Sequence, residues 1–123
     1  MDFNHLKQEV NKLLAAIEAD GKPIWFAGLI PAHFGLSNSP FVLQIGADWL
    51  KGDFATRRQG LHYIIDKTYQ SMSSEARACI DRPSDFSTDS LHPMAPDAIL
   101  RNNVGFDYEA YNREQLLKYE ASF

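Results

Sequence analysis

From Phe3 to Ile17 the apolar residues Phe3, Leu6, Val10, Leu13, Leu14 and Ile17 recur at three- and four-residue steps. This spacing sets them on one face of a helix, with Lys7, Glu9, Lys12 and Glu18 on the other. Asp2 suits an N-cap, because its carboxylate can accept from the free N–H groups of the first turn. Gly21 can take the left-handed conformation that closes a helix, and Pro23 prevents its resumption. A face this apolar needs a surface to cover, since burying each large side chain contributes roughly 1.5–3 kcal/mol. A sheet is the expected surface.

The pattern then changes. Ile24-Trp25-Phe26-Ala27-Gly28-Leu29-Ile30 is almost wholly apolar, which predicts a strand that is central or covered on both faces. Phe41-Val42-Leu43-Gln44-Ile45-Gly46 predicts a second strand, interrupted only by Gln44. Pro31 to Pro40 is rich in turn formers and short for a helical crossover, so the two strands are expected to pair antiparallel.

A second helix is expected to start near Asp53 or Thr56 and to run to about Met72. Phe54, Leu61, Ile64, Ile65 and Met72 trace its apolar stripe. Gly60 weakens its middle by about 1 kcal/mol relative to Ala, and Trp49 and Leu50 are placed to pack where it begins. Ser73 to Ile80 fits a short helix capped by Ser73 or Ser74, or a strand in which Ala76, Ala78 and Ile80 alternate. The Ala, Glu and Arg content favours the helix. Periodicity fades over residues 81–106, where Pro83, Pro93 and Pro96 stand among Ser and Asp. This reads as a Pro-rich wrap or a mobile segment, with one helical turn at 95–101 held by Ile99 and Leu100. A C-terminal helix is expected over 107–121, carrying Tyr108, Tyr111, Leu116 and Tyr119. The whole reads as a single α+β domain over residues 1–123, with two or three long helices packed on a small, mainly antiparallel sheet.

Bulk properties narrow the function. A chain of 123 residues suits one domain. The formal charge is −4 and the basic residues are scattered, so nucleic acid, which is held by basic faces, is not an expected partner. Between Asp81 and Asp97 four Asp are opposed only by Arg82, as in a solvated loop or a surface for cationic partners. The lone Cys79 excludes an internal disulfide framework and, between Ala78 and Ile80, reads as a buried thiol. The N-terminal stretch lacks the charged start and unbroken apolar run of a signal peptide. No segment reaches the apolar length of a membrane span, so no membrane association is expected and a cytoplasmic location is.

Little of the chemistry is marked by motif. His5, His33, His62 and His92 lie far apart and show no ligand spacing, so no metal site is expected. No GxSxG elbow, phosphate loop or dinucleotide fingerprint occurs, and no cofactor is expected. Nothing beside Cys79 marks an activated nucleophile. Asp48 and Asp53 read as caps. The best local candidate for binding an anion is Ala47 to Asp53 with Arg57 and Arg58. It leaves a strand and begins a helix, where free N–H groups favour negative charge. Lys51, Arg57 and Arg58 would add charge, Trp49 an aromatic wall, and His33 a further polar group. The plain alternative is a strand-to-helix turn with solvated cations and a core Trp.

The stretch Phe41 to Ile80, with Leu50-Lys51-Gly52 and then Arg57-Arg58, is weakly similar to the core of BolA-type proteins. The histidine those proteins place after the arginine is Gln59 or Gly60 here, and their later strand histidine has no counterpart near Ala76. The chain is therefore assigned to no family. The expected function is a non-catalytic interaction or regulatory module that binds another protein or a second copy of itself, through Tyr108, Tyr111, Tyr119 and Phe123. The alternative is a small domain, binding or enzymatic, that holds an anionic ligand at Asp48–Asp53.

Overall fold

The computed structural model describes residues 1–33, 38–86 and 98–102, together with positions 110, 113, 114 and 117. Helix α1 (Phe3–Ala19) begins as its sequence predicts, the Asp2 carboxylate accepting the His5 N–H at 2.9 Å. Leu6, Val10, Leu13, Leu14 and Ile17 are buried, and Gly21 closes the helix at φ 80. Glu9 departs from expectation. It is buried rather than solvated, accepting the Ser73 N–H at 3.3 Å and pairing with Lys12 at 3.1 Å. Those bonds hold its carboxyl below the usual range and tie α1 to the chain that follows the second long helix.

Strands β1 (Phe26–Pro31) and β2 (Phe41–Gly46) pair antiparallel, Phe26 opposite Gly46 and Pro31 opposite Phe41. Every residue from Phe26 to Ile30 is buried. Successive side chains of a strand point to opposite faces, so both faces of β1 are covered, as its apolar run predicts. Two further strands flank this hairpin. Strand β3 (Ile80–Asp85) lies parallel to β2, and β4 (Ile99–Asn102) antiparallel to β1, in the order β3-β2-β1-β4.

The sheet is thus mixed, with two antiparallel pairings and one parallel, and both added strands fall in the stretch read as a wrap. Ile80-Asp81-Arg82-Pro83-Ser84-Asp85 has the polarity and proline of a loop, but an edge strand tolerates both, because one row of its backbone groups is not needed for pairing. Residues 99–102 form a strand instead of a helical turn. The open edge of β1 offers a row of backbone partners that local preference alone does not reveal. Ala110, Arg113, Glu114 and Leu117 are helical.

Helix α2 (Phe54–Ser71) and the short α3 (Ser74–Ala78) connect β2 to β3, as a parallel pair requires. Ser73 caps α3, its hydroxyl accepting the Ala76 N–H at 3.2 Å. Cys79 ends α3 half-buried, its thiol donating to the Glu75 carbonyl at 3.5 Å, and is not the fully buried residue expected. The buried stripe of α2 also differs. Ile64 and Met72 reach the core and Leu61 packs against it, but Phe54 and Ile65 are exposed. Gly60 explains the rotation. A Cβ there would stand 2.5 Å from Leu50 Cδ2 and 3.4 Å from the Trp49 ring. Glycine lets the chain before α2 dock on the helix, which turns Gly60, Ile64 and Thr68 inward and leaves Phe54, Arg58 and Ile65 outside.

Candidate functional site

β2 and β3 run parallel, so their carboxyl ends meet at one end of the sheet. In open sheets that end, beside a helix start, is where ligands settle. After Gly46, Asp48–Leu50 makes one turn of 3-10 helix, Gly52 adopts φ 129, and Asp53 caps α2 by accepting the Thr56 N–H at 2.8 Å. That bond holds the Asp53 carboxyl below its usual range. It also places a carboxylate where free N–H groups were expected to draw an anion, so the helix start is not itself the anion site.

A cleft of about 350 Å³ opens beside this turn. Trp25 and Phe86 stand edge to face at 5.8 Å, and Phe86 in turn meets buried Phe26 at 4.5 Å. Lys51 Nζ lies 5.7 Å from the Trp25 ring centre and 3.5 Å from Asp48. Arg57 reaches in from α2 and faces Asp85 at the end of β3. Asp85 is 7% exposed, and the closest approach, Arg57 Nη1 to Asp85 Oδ2, is 3.8 Å, an ion pair too long for a hydrogen bond. Arg57 Nε is shut off from solvent and meets no acceptor among the described residues.

On the other side of Arg57 a groove of about 540 Å³ runs between α2 and edge strand β3. Phe54, Leu61 and Ile65 from the helix and Pro83 from the strand make it apolar. Arg58, His62 and Arg82 rim it. Phe54 is 69% exposed, and Arg58 has no ion pair among the described residues. Pro83 removes one backbone donor from the strand edge, so side chains rather than added strand pairing would read whatever lies there.

The predicted site residues therefore separate. Lys51 and Arg57 meet in the cleft, and Arg57 and Arg58 share the groove. His33 joins neither. It sits past the far end of β1, its N–H donating to Ser39 Oγ at 2.8 Å, with the whole length of that strand between it and the turn. Trp49 is a strut, not a wall. Its Nε1 donates to the Pro23 carbonyl at 2.8 Å and its ring meets Tyr63 edge to face at 6.0 Å. Tyr108, Tyr111, Tyr119 and Phe123 lie outside the described residues. Trp25, Asp85, Phe86 and the groove residues other than Arg57 and Arg58 were missed. Trp25 read as core strand, and Asp85 and Phe86 as loop. Exposed Phe54 was the one signal available, as a large ring at a helix start.

The strut yields a pH prediction. The Tyr63 hydroxyl donates to Asp20 Oδ2, and Lys67 pairs with the same carboxylate at 2.6 Å. Burial, then the bond to Asp20, push the Tyr63 hydroxyl up to about 12 from 10.0. A group raised on folding stabilises fully below its unfolded value and loses that contribution as pH rises through its folded one. The Tm gap between wild type and Tyr63→Phe should therefore hold near neutrality and close from about pH 10 to 12. Lys67 and Tyr63 hold Asp20 below its ordinary 3.8, so the gap to Asp20→Asn should close in the opposite direction, as pH falls below that value. Thermal melts across pH check both, and gaps indifferent to pH would detach these bonds from stability.

Comparison with known proteins finds no matching family model, curated protein or solved structure. Among the described residues no helix is long and apolar enough to cross a membrane, and no three His, Cys, Asp or Glu side chains are grouped to hold a metal ion.

Proposed function

We propose that this chain is a non-catalytic binding module whose groove between α2 and β3 takes an acidic peptide segment of another protein, anchored by an apolar side chain. The observation that carries this reading is the ring of Arg57, Arg58, Arg82 and His62 around the apolar floor of Phe54, Leu61, Ile65 and Pro83. On a chain of net charge −4, three arginines gather here against Asp85 in the lining and Asp81, which pairs with Arg82 at 2.8 Å, and Arg58 has no ion pair among the described residues. A contiguous apolar surface with a polar rim marks an interaction site, and guanidinium groups recognise carboxylates by paired hydrogen bonds. The floor accounts for an apolar anchor, and the rim for acidic neighbours on either side of it.

The test is fluorescence polarisation with a short peptide alternating Asp or Glu with Leu and Phe, beside a control in which Lys replaces the acids. The acidic peptide should bind, more weakly as salt rises, and Arg58→Glu should weaken it by roughly tenfold or more, the scale of one charge-assisted hydrogen bond. Arg58 is exposed, so its replacement leaves folding intact. Equal binding of the two peptides would sink the reading, as would a single-stranded oligonucleotide binding as tightly as the acidic peptide.

A further inference from the structure

The cleft at the carboxyl ends of β2 and β3 shares Arg57 and Asp85 with the groove and is otherwise lined by different residues. We propose that it is a binding site for a small molecule carrying one flat ring and one anionic group, a carboxylate or a phosphate. Its volume of about 350 Å³ lies in the range of small-molecule sites, on the order of 300–1,000 Å³. Trp25 and Phe86, 5.8 Å apart and edge to face, present the aromatic surfaces on which a ring packs. Gly46 keeps that space open, since a Cβ there would stand 2.9 Å from two Trp25 ring atoms.

The anionic group follows from Arg57. Its guanidinium is held at 3.8 Å from Asp85, close enough to be oriented and too far to be hydrogen-bonded by that pair. Its Nε is withdrawn from solvent without an acceptor among the described residues. That atom is closed to a ligand as it is to water, but the side chain as a whole is 35% exposed, so an oxyanion meets its terminal N–H groups. A carboxylate or phosphate engages a guanidinium through two parallel N–H bonds. Lys51, at the open rim, adds a second positive charge over the same space. The ring and the acid are both required: the walls alone would take any apolar fragment, and the cations alone any phosphate.

The test follows the two tryptophan indole N–H signals by 15N-edited NMR while benzoate, phenyl phosphate, benzyl alcohol or inorganic phosphate is added. The Trp25 signal should move saturably with benzoate or phenyl phosphate at about millimolar concentrations, as befits ligands this small. The Trp49 signal, tied to the Pro23 carbonyl, should stay. The stronger of the two acids identifies the anionic group. Arg57→Gln should weaken binding at least about tenfold, and Arg58→Gln, which lies on the groove and not in the cleft, should leave it unchanged. Lys51→Gln, at an exposed position, gives a second reading independent of any effect of Arg57 on folding and should weaken binding severalfold. A Trp25 signal indifferent to both acids would overturn the proposal, as would binding unchanged in Arg57→Gln or Lys51→Gln. Benzyl alcohol or inorganic phosphate binding as tightly as the acids would do the same. None of these outcomes depends on peptide binding in the groove.

Discussion

Phe26→Ala is expected to lower the free energy of unfolding by about 3–5 kcal/mol, a large part of the ~5–15 kcal/mol that holds a domain of this kind together. Phe26 is wholly buried at the start of the central strand, between Gly46 of β2 and Asn102 of β4. Its ring meets Phe86 at 4.5 Å and Trp25 at 6.4 Å. Truncation removes the apolar area and leaves a cavity that three strands, each tied by hydrogen bonds, cannot collapse to fill. It also removes the surface behind both cleft walls, so the Trp25 indole signal should broaden even where the variant remains folded. Urea unfolding followed by circular dichroism measures the loss. A cost below about 1 kcal/mol would mean that the β1 interior repacks freely and that Phe26 is no keystone.

The second large effect is expected at Gly46. Valine there should cost about 1–3 kcal/mol through overpacking, despite the usual preference of strands for β-branched residues. The added Cβ would stand 2.9 Å from two Trp25 ring atoms and 3.1 Å from Phe26 Cβ. Phe26 is fixed by the strand, so Trp25 must give way, and the side open to it is the cleft. Gly46→Val should therefore lower the denaturation midpoint and shift the near-ultraviolet signal of tryptophan together, with Gly46→Ala intermediate. An unchanged midpoint with an unchanged tryptophan signal would show that the close approach of Gly46 to Trp25 has no bearing on stability.

Local pattern alone determined α1, its Asp2 cap and Gly21 stop, the β1–β2 hairpin, the span of α2 and the helical choice for Ser74–Ala78. Each of these is set by side-chain periodicity or by a residue with special backbone freedom, and both are written at the position where they act. The cationic turn was legible in the same way, because Lys51, Arg57 and Arg58 are near neighbours in sequence. Which way each points was not. Gly60 rotates α2 by admitting Leu50, and only then does Phe54 become groove floor rather than core.

β3 and β4 are strands because β2 and β1 offer them open edges, a property of the neighbour and not of Ile80–Asp85 or Ile99–Asn102 themselves. Asp85 comes to face Arg57 through that parallel pairing. His33 was parted from the cleft because strand pairing sends the two ends of β1 to opposite ends of the sheet, and Trp49 because its indole is turned to the Pro23 carbonyl and the Tyr63 ring. Periodicity records which face of a segment is apolar. It does not record what that face meets, and the cleft and groove of this protein consist of such meetings.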